Sequence, residues 1–171
     1  KTSDYLGMLR ELAPEWHHQQ PGQLGSIKLP HLHTVVWIDD AGQGVDEPGL
    51  LRFTDLLERG NAADPRLAQV AAALKATDPI NIQFTSGTTG FPKGATLTHR
   101  NILNNGFLIG ECMKLTPEDR LCIPVPLYHC FGMVLGNLAC FTHGATIVYP
   151  NDGFDPLTVL QTVQDLSLIH I

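Results

Sequence analysis

The stretch that decides the fold is Ile80-Asn-Ile-Gln-Phe-Thr-Ser-Gly-Thr-Thr-Gly-Phe-Pro-Lys-Gly94. Its first residues, Ile80 to Phe84, have the β-branched and aromatic composition of a strand. The rest is a loop of Ser, Thr, Gly, Pro and Lys. The helical pattern that follows runs from Thr98 to about Lys114, with Thr98 as its N-cap. The segment therefore predicts a strand, a loop at its carboxyl end and a helix.

The same alternation continues towards the C-terminus. It predicts strands at 121–125 and 145–149 and helices at 131–141 and 155–165. Strands that alternate with helices indicate an α/β fold with a mostly parallel sheet flanked by helices and right-handed crossovers. Ligands of such sheets bind outside the carboxyl ends of the strands, where the loop 85–94 lies.

Upstream, the pattern predicts a helix near Tyr5 to Leu12, a buried strand at Thr34 to Ile38, and helices at 50–58 and 65–75. The chain has 171 residues, with 11 Lys and Arg against 17 Asp and Glu, and a net charge of −6. This mild acidity excludes a nucleic-acid partner, because phosphate backbones require clustered basic residues. The 43% hydrophobic content excludes disorder.

Two features imitate other kinds of site. Residues 131–149 carry no charge and contain Gly132-x-x-x-Gly136, but interior polar residues and Gly144 favour a buried helix and strand over a transmembrane segment. The pairs His17-His18 and His31-x-His33 have no third ligand nearby, so we expect no metal site.

The cysteines form no Cys-x-x-Cys pair and are expected to be free thiols, in a cytoplasmic protein; they are Cys112, Cys122, Cys130 and Cys140.

The loop 85–94 has the composition of a polyphosphate cradle. Glycines bring backbone N–H groups close to an anion, hydroxyls add donors, and Lys93 adds a full charge. We expect the following helix to direct its positive N-terminal end at the same place. The loop is not a Walker A sequence, since the sixth position from Gly87 is Pro92. A solvated turn rich in Ser and Thr remains the alternative on composition alone.

Five segments, one of them the loop itself, resemble the motifs of a known family. Phe84–Ala95 resembles, at every position, the phosphate-loop signature of the adenylate-forming acyl-CoA synthetase superfamily. Leu97–Asn101 and Pro126-Leu-Tyr-His-Cys-Phe-Gly132 resemble the motifs that follow it. The upstream segments 9–14 and 20–39 resemble the medium-chain fatty acyl-CoA synthetase branch. The resemblance implies that the chain is part of the large N-terminal domain of such an enzyme.

The resemblance implies a ligase that converts ATP and a fatty acid into an acyl-adenylate and pyrophosphate, and then transfers the acyl group to coenzyme A. Mg²⁺ is implied as a bridge between phosphates, without a metal ligand assigned to this chain. Lys93 would stabilise charge on the departing pyrophosphate. The implied hydroxyl donors are Thr85, Ser86, Thr88 and Thr89, and the glycines that allow close approach are Gly87, Gly90 and Gly94.

His129 lies where the family places the carboxylate and acyl pocket, so it would orient the carboxylate or gate its entry. The alternative is a histidine without a special role. A catalytic dyad with Cys130 is not expected, because neighbours on an extended chain point to opposite faces. Phe131, Met133 and Leu135 would line the acyl pocket or belong to the core.

Other family motifs are not found in this sequence: the magnesium-binding Glu, the ribose-binding Asp, and the C-terminal domain with its lysine. We therefore expect residues 1–165 to be an internal fragment of the adenylation domain, inactive by itself. Leu166–Ile171 is what the transposon-end adapter CTG TCT CTT ATA CAC ATC would encode, so we expect these residues to be an artefact. A non-catalytic ATP-binding module and an adenylation domain of a carrier-protein system remain the alternatives; the oligomeric state is not predicted.

Overall fold

The computed structural model describes residues 4–38, 47–85, 90–166 and the backbone of 169–170. Contacts divide the chain into two compact units, residues 1–67 and 68–171. The helix α3, Pro65–Ala73, contains the boundary. Among the described residues, no helix combines the length and the apolar character needed to cross a bilayer.

The first unit is built around the buried indole of Trp16, which packs with Leu24 and Leu50. Asp4 begins the first helix by accepting a hydrogen bond from the Gly7 N–H at 2.8 Å. The elements are α1 (Tyr5–Leu12), a 3₁₀ turn (Pro14–His18), β1 (Val35–Trp37), β2 (Leu50–Arg52) and α2 (Phe53–Glu58). The strands β1 and β2 are parallel.

The second unit begins with an antiparallel hairpin that the sequence pattern did not indicate. Strand β3 (Pro79–Thr85) pairs with β4 (Lys93–Thr98), with Thr85 opposite Lys93 and Pro79 opposite Thr98. The next helix, α4 (His99–Met113), is capped by Thr98 as predicted, in a capping box with Asn101. Its N-terminus is at the opposite end of the hairpin from the loop, so the expectation that it directs its dipole at the loop is wrong.

A three-stranded parallel sheet in the order β6-β5-β7 forms the rest of the unit. Its strands are β5 (Arg120–Cys122), β6 (Thr146–Val148) and β7 (Ile169–His170). Between β5 and β6 the chain forms a π-helix (Phe131–Leu138) that continues into α5 (Ala139–His143), and α6 (Pro156–Leu166) follows β6. The predicted helix and strand in the uncharged stretch are thus confirmed, and so is the mixed α/β fold.

The core of the second unit lies between this sheet and the helices. Leu121, Ala139 and Cys140 have no exposed surface. Two glycines let α4 approach the neighbouring helices closely: a Cβ on Gly106 would lie 2.5 Å from the Cβ of Leu138, and one on Gly110 would overlap the His143 ring. His143 Nε2 also lies 3.0 Å from Oε1 of Glu111 in α4. This pair stabilises the contact between α4 and α5 at its exposed edge.

Candidate active site

The hairpin positions the two ends of the hydroxyl-rich loop. Thr85 and Lys93 are the last cross-strand pair before it, and directly opposed residues of antiparallel strands project to the same face. The Thr85 hydroxyl and the Lys93 ammonium therefore share one face at the base of the loop. Gly90, within the loop, has φ +92°, a conformation that L side chains rarely adopt. Ser86, Gly87, Thr88 and Thr89 lie outside the described residues.

Gly94 is opposite Phe84, on the other face of the hairpin. A Cβ at Gly94 would lie 3.0 Å from Cγ2 of Ile82 and 3.4 Å from Cε1 of Phe84. These side chains therefore fill the space that a larger residue at position 94 would need. The sequence suggested that Gly94 allows phosphate to approach closely. The structure adds a second reason for a glycine here, which is the packing of these side chains.

The hairpin is joined directly to the second motif by a residue that the sequence analysis missed. The Gln83 amide Nε2 donates to the Tyr128 carbonyl oxygen at 3.2 Å. Gln83 alternates with Thr85 along β3 and so projects to the same face as Thr85 and Lys93. The one signal in the sequence was a long polar side chain two residues before the loop, inside an apolar strand.

His129 is held at the start of a helix by its own backbone neighbours. The Phe131 N–H donates to His129 Nδ1 at 3.1 Å. Because Nδ1 accepts this bond, the neutral ring carries its proton on Nε2, which is then available as a donor. A neutral imidazole that presents Nε2–H suits the orientation of a carboxylate better than proton abstraction by that nitrogen.

Cys130 does not point away from His129. Its Sγ lies 3.8 Å from His129 Nδ1, because the chain turns into the helix here and is not extended. The premise that the two side chains occupy opposite faces is therefore wrong. The dyad still gains no support, since the Nδ1 lone pair already accepts the Phe131 N–H.

The π-helix brings its N-terminal turn against the segment that precedes His129. A Cβ on Gly132 would lie 2.6 Å from the Pro126 carbonyl oxygen, and one on Gly136 would lie 2.7 Å from Cδ1 of Ile123. Both glycines are buried. Long π-helical stretches are rare and are often found at functional sites. Here the helix forms one wall of a cavity.

Two cavities open at the carboxyl ends of the parallel strands β5 and β6, and the smaller one lies beside this helix. The larger, about 540 Å³, lies between segments 123–128 and 149–154 and includes Tyr128 and Asp152. The smaller, about 220 Å³, is lined by Cys122, Ile123, Pro124, Val125, Phe131, Gly136 and Phe154. Of the three residues suggested for an acyl pocket, Phe131 lines the smaller cavity, whereas Met133 and Leu135 line neither.

The cysteines are free thiols as predicted, and they divide by environment. Cys112 and Cys130 are exposed, whereas Cys122 and Cys140 are buried. Burial raises the pKa of the Cys122 thiol and raises that of Cys140 to about 11. The buried thiols therefore act as small apolar side chains of the core around β5 and α5.

Comparisons with known proteins match the chain to one family. Residues 20–171 match the sequence profile described as AMP-binding enzyme. The chain is 44% identical to YngI of Bacillus subtilis (strain 168) over 166 residues, which cover 96% of this chain and 29% of that protein. It is 41% identical over 167 residues to the zebrafish (Danio rerio) protein named medium-chain acyl-CoA ligase ACSF2, mitochondrial, covering 96% of this chain and 27% of the relative.

A solved structure agrees on the fold. The inhibitor-bound N-terminal domain of FACL13 from Mycobacterium tuberculosis superposes with a TM-score of 0.58 at 22% identity, covering 79% of this chain and 36% of that one. At this identity the likeness concerns the fold alone. The chain spans less than a third of the length of the curated relatives that it matches.

Proposed function

Because this chain belongs to the AMP-binding enzyme family, we propose that the whole protein is an ATP-dependent, AMP-forming acid–thiol ligase. It activates a fatty acid as an acyl-adenylate and transfers the acyl group to coenzyme A. The observation that carries the proposal is the joining of Thr85 and Lys93, through Gln83, to the segment that holds His129. This arrangement supports a phosphate site and a carboxylate site side by side.

In the first step a carboxylate oxygen bonds to the α-phosphorus of ATP, and the bond to the bridging oxygen of pyrophosphate breaks. Negative charge grows on the departing pyrophosphate, where the Lys93 ammonium and the Thr85 hydroxyl stabilise it. His129 donates its Nε2–H to the carboxylate and holds it for attack. In the second step the coenzyme A sulfur bonds to the acyl carbon, the bond from that carbon to the phosphate oxygen of AMP breaks, and the thiol proton is released to water.

We propose that magnesium arrives with the phosphates of the nucleotide. Among the described residues, no three His, Cys, Asp or Glu side chains are grouped closely enough to hold a metal. Mg²⁺ usually keeps several waters and binds through one or two carboxylates together with substrate phosphates. When bound, it would neutralise phosphate charge, and the Thr85 hydroxyl would lie on the phosphate side.

The lining of the smaller cavity supports the proposal that the acid has an apolar tail. Its lining is predominantly hydrophobic, and Phe131 links it to the segment of His129. Burial of each methylene contributes about 0.8 kcal/mol. We therefore propose a fatty acid as substrate, in keeping with the medium-chain ligase name of the zebrafish relative. The cytoplasmic location stays a prediction, since that relative is named as mitochondrial.

The test is pyrophosphate release by the whole protein with ATP, Mg²⁺ and a panel of carboxylic acids of increasing chain length. We expect release only when both ATP and an apolar acid are present, and a thioester only after coenzyme A is added. ATP binding without release for any acid would instead indicate a non-catalytic module. Acyl transfer to a carrier protein but not to coenzyme A would overturn the acid–thiol ligase assignment.

The 171-residue chain by itself is expected to form no acyl-CoA, because the magnesium-binding Glu, ribose-binding Asp and C-terminal lysine that the resemblance implies are not in it. Thioester formation by this chain alone would refute that part of the proposal.

A further inference from the structure

The hydrogen bond from Gln83 to Tyr128 connects two segments that are 45 positions apart in the sequence. Of the hydrogen bonds recorded among the described residues, it alone joins the hairpin β3–β4 to the segment 126–132. The acceptor is a backbone carbonyl, so only a donor at position 83 can form this bond. An amide at this distance is a normal hydrogen bond.

The position of Gln83 in the hairpin gives this bond a role beyond packing. Gln83 is opposite Ala95, and the next pair on the same face is Thr85 opposite Lys93. Tyr128, the acceptor, directly precedes His129. The bond therefore ties the strand that carries Thr85, opposite Lys93, to the residue before His129, the proposed carboxylate ligand.

We propose that Gln83 is a positioning residue for the adenylation step. It acts through the Tyr128 carbonyl and holds the His129 segment at the distance from Lys93 that lets the carboxylate reach the α-phosphorus. The inference rests on the proposed function. Reaction rates depend steeply on such alignment, and a misplacement of about 1 Å can cost about 100-fold.

The expected signature is a split between kcat and KM. Without the bond, each substrate still meets its own contacts, so KM for ATP and KM for the acid stay within about twofold. The two substrates are no longer aligned, and kcat for pyrophosphate release falls about tenfold, which corresponds to about 1.4 kcal/mol. A residue that only stabilised the fold would leave kcat per folded molecule unchanged.

The experiment uses the whole protein and the variants Gln83→Leu, Gln83→Glu and Gln83→His. Leucine and glutamate cannot donate to a carbonyl, whereas the neutral histidine ring presents an N–H at similar reach. The matched control is Asn81→Leu, two residues away on the same face, where Oδ1 is buried and forms no hydrogen bond with any residue that the structure describes. We expect lower kcat for Leu and Glu, and values near the parent for His and for Asn81→Leu.

An unchanged kcat in both Gln83→Leu and Gln83→Glu, or a loss confined to KM, would overturn the inference. If Gln83→Leu does not fold, the comparison of Glu with His decides. Hydrogen exchange of the peptide 126–132 provides a second readout that needs no activity, since it should be faster in Gln83→Glu than in the parent or the Asn81→Leu control. If the parent itself releases no pyrophosphate, the proposed function fails, and equal exchange in parent and variant would then overturn the contact.

Discussion

Lys93 lies beside Thr85 because of strand register, and this placement determines what its removal should do. The two residues are the last cross-strand pair before the loop, so the ammonium and the hydroxyl share one face of the hairpin. Lys93→Ala in the whole protein should lower kcat for pyrophosphate release about 100-fold, as removal of one transition-state donor typically does. Pyrophosphate release at saturating ATP and acid is the measurement.

Two controls accompany that change. Lys93→Arg keeps the charge and should retain part of the activity, whereas Lys75→Ala removes an exposed lysine outside the hairpin and should change nothing. Equal rates for Lys93→Ala and the parent would exclude Lys93 from its assigned role.

The buried thiol of Cys140 leads us to predict a lower free energy of unfolding at alkaline pH. Its thiol has no exposed surface, and burial raises its pKa from 9.0 to about 11. Below pH 9 the thiol is neutral in both the folded and the unfolded chain, so the full stability of the folded state is present. As pH rises towards 11 this stability is lost, because the thiol ionises first in the unfolded chain and so favours unfolding. The full effect is about 3 kcal/mol of unfolding free energy.

Urea unfolding of the chain at pH 8 and pH 11 measures this effect. The Cys140→Ala variant should be less stable than the parent at pH 8, because it leaves a small cavity. Between the two pH values it should lose less unfolding free energy than the parent does. Parallel losses in parent and variant would show that the Cys140 thiol does not control this pH range.

The roles of Lys93 and His129 stay predictions, and no geometry for them could be read from the sequence. Composition alone left a phosphate cradle and a solvated turn as alternatives for the loop, and the resemblance pointed to Lys93 and His129. Gln83 was missed because its partner is a backbone carbonyl, which leaves no trace in the sequence. The nearness of Cys130 to His129 was missed for a related reason, since it depends on where the helix begins.

At the scale of elements, the hairpin is the main departure from the expected strand–loop–helix unit. The sequence pattern assigns Lys93 and Gly94 to the loop and predicts no strand between the loop and Thr98. Residues 93–98 nevertheless pair with β3, with one register shift between Pro79 and Asn81. The helix α4 was predicted correctly because Thr98 supplies a local cap. Pairing between strands depends on residues that are distant in the sequence, so the sequence signal for it is much weaker than the signal for a helix cap.

At the π-helix, the proposed function leads to a prediction about which acid lengths are accepted. A Cβ on Gly136 would crowd Ile123 and narrow the 220 Å³ cavity. Gly136→Ala should therefore lower kcat/KM for the longest accepted acids about tenfold while sparing the shortest, because one methylene in an apolar pocket is worth about 1–3 kcal/mol. Pyrophosphate release across an acid series measures the shift.

Gly153→Ala is the matched control for this substitution, because a Cβ there meets nothing within 4 Å. It should leave the preference for chain length unchanged. A uniform loss across all acids in Gly136→Ala would contradict a role in length selection and indicate a general disturbance of the helix.

Helix packing in the second unit predicts a stability effect at Gly106. An added Cβ would lie 2.5 Å from the Cβ of Leu138 and 3.2 Å from its carbonyl carbon. The crowding costs about 1–3 kcal/mol, and the better helix propensity of alanine returns at most about 1 kcal/mol. Gly106→Ala should thus lower the unfolding free energy, whereas the exposed Asn105→Ala should not; a stabilised Gly106→Ala variant would contradict this packing.

At the scale of the whole molecule, the α/β fold followed from the alternation of elements, but the division into small sheets did not. Strands β5 and β6 have three residues each and are shorter than the apolar runs that predicted them. For β5 the cause is Pro124, which cannot donate to a ladder and follows soon after the strand ends at Cys122. The hairpin leaves Ile80, Ile82 and Phe84 exposed on one face, at 47%, 62% and 67%. Alternation within β3 places all three side chains on the face opposite Gln83.

An apolar stripe of this kind on a two-stranded hairpin favours association. The 171-residue chain should therefore self-associate with rising concentration, as measured by light scattering after size exclusion. Ile82→Lys places a charge in the middle of the stripe and should shift the chain towards the monomer. Thr54→Lys adds the same charge at an exposed position of α2, without removing apolar surface, and should leave association unchanged. A monomeric parent at all concentrations, or equal association in the two lysine variants, would show that this face does not drive contact between chains.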